Sequence, residues 1–160
     1  MVARAGVSVG SFYHHFGAKR ELYLSLWQDY RETRDQACVD AVATAQLTGT
    51  TDPAQLWTAA ARALLRDAWE RRDLAALFLA GDIPPNFDEI NSGEAFLARR
   101  SHQILRLPDD EPSGLFVQCL LDMIGEGARA VVRAPGGAAA ERIMDRTLTY
   151  CARLLAGGPV

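Results

Sequence analysis

Near the amino end, the run from Gly6 to Phe16, GVSVGSFYHHF, gathers hydrogen-bonding side chains on a short segment bounded by Gly6 and Gly17. Glycine at position 6 lets the backbone turn between two helices without steric cost. Ser8 then accepts a hydrogen bond from the first free amides of the helix that follows. In that helix Phe12 and Phe16 stand four apart and share one face, which must be buried, while Ser11, Tyr13 and His14 project elsewhere and can face outward. The chemistry on offer is non-covalent. Gly10 and Ser11 allow close approach to base edges in a major groove, and the Tyr13 hydroxyl, His15 and Lys19 can reach phosphate oxygens. The charge distribution points the same way: residues 1–20 carry Arg4, Lys19 and Arg20 and no acid, a charge of +3, which leaves −6 on the rest of a chain whose total is −3.

Other chemistries find little to use. Adjacent His14 and His15 point about 100° apart on a helix and do not make a two-toothed metal site. Cys38, Cys119 and Cys151 are odd in number and widely spaced, so neither a disulfide framework nor a zinc site is expected, and a reduced cytoplasmic setting fits. No HExxH, P-loop or GxSxG string occurs, so no enzymatic activity and no cofactor or metal is expected. Apolar runs are too short for a bilayer, and no membrane partner is expected. The 160 residues are 49% hydrophobic and 23% charged, an ordinary balance for one packed domain with a smaller attached module.

The elements that must position these groups are helices, because apolar residues recur at three and four rather than at two. A long helix is expected from about Ala18 to Gln46, with Tyr23, Leu26, Trp27 and Tyr30 in its stripe. Asp52-Pro53 starts the next, carrying Leu56, Trp57, Ala60, Leu64 and Ala68. An interruption is expected at residues 71–73 before a continuation from Leu74 to Ala80. Gly81 to Asn86, with Pro84-Pro85, cannot be helical throughout. Ser92 is expected to cap a helix ending near Leu105, and Pro108 to Gly114 to form an acidic loop. Two helices, about Leu115 to Arg133 and Ala138 to Ala156, then make an antiparallel hairpin across Pro135-Gly136-Gly137. The fold class expected is all-α, divided into residues 1–25, a partial helix-turn-helix unit, and residues 26–160, a helical domain.

The string AGVS, a small-residue helix start, FYHHF, and a lysine opening a long helix resembles the signature of the TetR family of bacterial transcriptional regulators. Matched position by position, the resemblance implies Val9, Gly10, Ser11 and His14 as base-facing residues and Tyr13, His15 and Lys19 as phosphate contacts, with Phe12 and Phe16 in the core. Members of that family carry a complete first helix and the start of the second before this point, so the chain is expected to be shortened at its amino end. The resemblance also implies a cavity for a small-molecule effector, with Trp57, Phe96, His102, Cys119 and Met123 as candidate lining residues. It further implies a homodimer through the last two helices, with Gly125, Ala128, Leu148, Cys151 and Leu155 at the seam. Two recognition helices about 34 Å apart would then meet successive turns of one operator duplex. The resemblance thus implies DNA binding for residues 1–25 and effector binding and dimerisation for residues 26–160. The function implied is a ligand-responsive regulator, a repressor released from DNA by its effector. The alternative is a helical small-molecule sensor or interaction module that does not bind DNA.

Overall fold

Helix starts are written into the chain as carboxylates followed by proline. Asp52 accepts a hydrogen bond from the Gln55 amide at 3.2 Å, and Pro53 fills a first-turn position that needs no N–H. Asp110 does the same for Ser113 at 2.9 Å, with Pro112 in the first turn. Between the first two helices Gly49 adopts φ +94°, a left-handed conformation that glycine tolerates, and the Thr50 amide reaches back to the Ala45 carbonyl at 2.9 Å. In this computed structural model, residues 19–79 and 91–159 are described, with side chains from Glu21 and from Ala95 in the two stretches.

Six helices occupy the described residues: α1 Lys19–Leu47, α2 Pro53–Glu70, α3 Arg72–Leu79, α4 Asn91–Leu105, α5 Glu111–Val132 and α6 Gly137–Gly157. No strand is present among these residues. The helices expected between residues 18 and 156 are found, within a residue or two at most ends, and the break before α3 falls at Arg71. One boundary differs. Residues 111–114, read from sequence as loop, form the first turn of α5, because the Asp110 carboxylate caps the Ser113 amide and the Gly114 amide bonds the Asp110 carbonyl at 2.9 Å. The expected division at residues 25 and 26 falls inside α1, which runs through it without interruption.

α2 is the central rod, packed against all five other helices. Its apolar stripe Leu56, Trp57, Ala61, Leu65 and Ala68 is buried, the large side chains each contributing on the order of 1.5–3 kcal/mol by leaving water and the alanines less than about 1. Trp27 and Tyr30 of α1 meet Phe78 of α3 at centroid separations of 5.1 and 5.3 Å, which fixes the short α3 against α1. α6 lays Ala140, Met144, Leu148 and Cys151 into the core along one side. It approaches α5 closely at Gly127, where any side-chain carbon would come within 2.6 Å of Thr147 Cγ2. The α2–α6 contact is edged by Arg62, whose guanidinium meets Asp145 at 2.6 Å.

Candidate functional site

α1, α2, α4 and α5 do not close fully on one another. Between them lies a cleft of two adjoining chambers that share Leu64, Leu97, Leu121 and Ile124 as common walls. The smaller has a volume of about 30 Å³ and is walled by Trp57, Ala60 and Ala61 of α2, Cys38 of α1 and Arg100, Ser101 and Ile104 of α4. The larger, about 160 Å³, adds Tyr30 and Arg34 of α1, Leu79 of α3 and the α5 residues Gln118, Asp122, Gly125 and Arg129.

The smaller chamber is tied together by hydrogen bonds across helices. Trp57 Nε1 donates to Ser101 Oγ at 3.0 Å, joining α2 to α4 in a buried position. The Cys38 thiol donates to the Ala60 carbonyl at 3.6 Å, and burial pushes its pKa up to about 12, so it stays a neutral thiol. Arg100 lines this chamber with its Nε buried and without a hydrogen-bond partner among the described residues.

In the larger chamber the cations are already matched. Arg34 is buried and donates through Nε and Nη2 to Asp35 at 2.9 and 2.6 Å, while its guanidinium lies 5.9 Å from the Trp27 ring centre. Arg129 pairs with Glu126 at 2.9 Å. Behind the chamber Arg71 grips Asp67 at 2.6 and 2.8 Å, donates to the Tyr30 carbonyl at 2.9 Å and sits 4.6 Å from the Tyr30 ring centre. Burial is the main cause that pushes the Tyr30 hydroxyl up to about 12.

Of the effector residues expected from sequence, Trp57 lies in the cleft wall. Phe96 instead borders a shallow surface depression with Val39, Arg99, Arg100 and Gln103, which shares Arg100 with the smaller chamber. His102 is half-buried with Nδ1 enclosed and unpartnered among the described residues, and it does not line either chamber. Cys119 is exposed and Met123 half-buried, and neither lines the cleft. The reason is angular: Leu121 faces the cleft, and residues two positions away on a helix point roughly 200° around from it.

Arg34, Arg100 and Ser101 are not among the expected residues. Arg34 and Ser101 do carry a signal, a polar residue on an otherwise apolar stripe: Arg34 stands in the series Trp27, Tyr30, Arg34, Cys38, and Ser101 between Leu97 and Ile104.

The residues expected at a dimer seam are placed differently. Ala128, Leu148 and Cys151 are 1%, 4% and 0% exposed in the single chain, so they belong to its own core and offer no surface to a second copy. Gly125 borders the larger chamber and Leu155 a surface depression beside Asp52 and Thr58. Val9, Gly10, Ser11, Tyr13, His14 and His15, with Phe12 and Phe16, lie outside the described residues; Lys19 is the first described residue of α1, and its side chain also lies outside them. Among the described residues no helix is long and apolar enough to cross a membrane, and no cluster of metal-binding side chains occurs.

Residues 1–26 match the family model described as bacterial regulatory proteins, tetR family. The match covers 26 of the 160 residues, ends within the second turn of the described part of α1 and leaves the five later helices beyond it; over that stretch the chain is similar to DNA-binding regulators of this family. No curated protein and no solved structure matched the chain.

Proposed function

We propose that the chain is a ligand-responsive regulator that represses by occupying operator DNA and releases it when a small molecule enters the cleft. The observation that carries this reading is the reach of α1. The segment matched to the DNA-binding family model ends at residue 26, and the same helix continues to Tyr30, Arg34 and Cys38 in the cleft walls. A ligand that favours one placement of α1 therefore acts directly on the presentation of the matched segment, by as much as its affinity differs between the two placements. Val9, Gly10, Ser11 and His14 read base edges, and Tyr13, His15 and Lys19 hold phosphates.

The working unit is a homodimer, since two copies present two reading segments to successive turns of one duplex. The apolar side chains that α5 and α6 leave outside, Leu115 at 62% and Tyr150 at 53% exposure, favour these helices as the seam. Sedimentation equilibrium tests it: a dimer is expected, shifted toward monomer by Leu115→Glu with Tyr150→Glu, and a wild-type monomer at high protein concentration would refute it.

The functional reading is tested by selecting bound duplexes from a random pool and titrating the selected sequence by fluorescence anisotropy at several salt concentrations. Sequence-dependent affinity that falls steeply with salt is expected. Equal, weak affinity for selected and scrambled duplexes would overturn it.

A further inference from the structure

We propose that the cleft accepts a small apolar carboxylic acid, about one aromatic ring in size, with its carboxylate in the smaller chamber against Arg100 and Ser101. This deepens the effector reading given above and rests on it.

The hydrogen-bonding state of the smaller chamber carries the inference. Its walls are apolar apart from Cys38, Arg100 and Ser101. The Cys38 thiol is committed to the Ala60 carbonyl. Ser101 Oγ accepts from Trp57 Nε1, and its own O–H donates to no group among the described residues. Arg100 Nε is buried without a partner; the nearest bond of its guanidinium is a long one, Nη1 to Gln103 Oε1 at 3.4 Å. What remains uncommitted is therefore a pair of donors, one of them charged, on adjacent residues of α4. Arg100 also borders the surface depression beside Phe96, where its Nη1 bonds Gln103, so the donors left for an anion are its buried Nε and the Ser101 hydroxyl, which a planar carboxylate with two oxygens can match.

The cations of both chambers single out the same residue. Arg34 is bound to Asp35 and Arg129 to Glu126, while the exposed Asp122 accepts from the neutral Gln118 amide at 2.9 Å. Arg100 is the cleft cation with no carboxylate within 4.0 Å among the described residues. Size then limits the ligand. The smaller chamber, about 30 Å³, has room for a group of a few heavy atoms such as a carboxylate. The larger, about 160 Å³ and apolar along Leu64, Leu97, Leu121 and Ile124, is comparable to cavities of about 150 Å³ that hold benzene.

Benzoate is the probe, with benzamide as its uncharged counterpart and phenyl phosphate as the bulkier anion. Each is titrated by calorimetry into the 160-residue chain and into Arg100→Met. Benzoate is expected to bind saturably and roughly 10- to 100-fold tighter than either comparator, and Arg100→Met to remove that advantage while leaving benzamide unchanged. Equal affinity for benzoate and benzamide, undiminished benzoate binding by Arg100→Met, or no saturable binding at roughly 10 mM ligand would each overturn the proposal. A second readout needs no variant at Arg100: the Trp57 indole N–H resonance, assigned through Trp57→Phe, is expected to move with benzoate, and its failure to move places the ligand elsewhere and defeats the proposal. If benzoate binds through Arg100 but leaves DNA affinity unchanged at saturation, the effector reading fails while the acid site stands. If uncharged compounds release DNA and benzoate does not bind, the effector reading stands and the acid site falls.

Discussion

Trp57 of α2 and Ser101 of α4, 44 positions apart in the chain, meet as Nε1 to Oγ at 3.0 Å inside the protein, with Trp57 3% and Ser101 5% exposed. This bond is the polar link between the two helices that flank the smaller chamber. Ser101→Ala leaves a buried indole N–H without its acceptor and is expected to destabilise by about 1–3 kcal/mol, whereas Trp57→Phe in the Ser101→Ala background recovers part of that loss. Urea denaturation of the two single variants and the double variant measures it; strictly additive effects would show that the two residues are not coupled.

Gly127 and Thr147 set the approach of α5 to α6. Gly127→Ala places a carbon 2.6 Å from Thr147 Cγ2 and 2.7 Å from its Oγ1, so something must shift to admit it. A loss of about 1–3 kcal/mol is expected, as for other overpacked positions. Adding Thr147→Ala removes both offending atoms, and partial recovery of the melting temperature identifies the clash as the cause.

Asp67 is buried and its carboxylate is held by Arg71, so Arg71→Met leaves it without its counter-charge. The expected loss is about 2–3 kcal/mol, since hydrogen bonds to charged groups lie at the upper end of the range. Asp67→Asn combined with Arg71→Met is expected to be less damaging than Arg71→Met alone. The reverse order in thermal melts would contradict the assignment of Asp67 as the buried charge.

Alkaline pH acts on three buried acids. Cys38 is pushed up to about 12 and Cys151 to about 11 from an ordinary 9.0, and Tyr30 to about 12 from 10.0, in each case chiefly by burial. The unfolded chain releases these protons first, so the folded state binds more protons than the unfolded state between about pH 9 and 12. Stability is full below pH 9 and declines as pH rises through this window. Denaturation midpoints taken between neutrality and pH 10 check the sign, and a midpoint that rises with pH would be incompatible with it.

The same burial separates the thiols by reactivity. Cys119 is exposed, whereas Cys38 and Cys151 are enclosed and neutral. Titration with a disulfide reagent near pH 8 is expected to modify one thiol promptly in the folded chain and all three after unfolding. Prompt reaction at two or three sites in the folded chain would place Cys38 or Cys151 at the surface.

Much of the helical framework was legible in the chain because one signal, apolar spacing, is local. The carboxyl end of α1 and both ends of α6 follow from where their stripes stop, and Asp52-Pro53 marks the start of α2 through a bond between residues three apart. Glu111 to Gly114 read as loop because proline, glycine and acids dominate there; one carboxylate reaching one amide converts them into a helical turn. The cleft was harder to read. Stripe position gives the face a residue occupies on its own helix but not its neighbours across the core, so Cys119 and Met123 were placed on the cleft side of α5 although Leu121 and Ile124 occupy it. Ala128, Leu148 and Cys151 look alike in sequence whether they fill one subunit or a seam between two; only their near-zero exposure decides. Arg100 carried no warning as a single residue, since most arginines on helices are solvated.

The unbroken run of α1 has a mechanical corollary. At 1.5 Å per residue, the 19 steps from Lys19 to Cys38 make a lever arm of roughly 28 Å, so a tilt of about 5° pivoting at Cys38 swings the Lys19 end by about 2.5 Å. A displacement far smaller than a bond length beside the Cys38 thiol is thus magnified at the end that meets the amino-terminal segment, and a rigid rod needs no relay of intermediate side chains to deliver it.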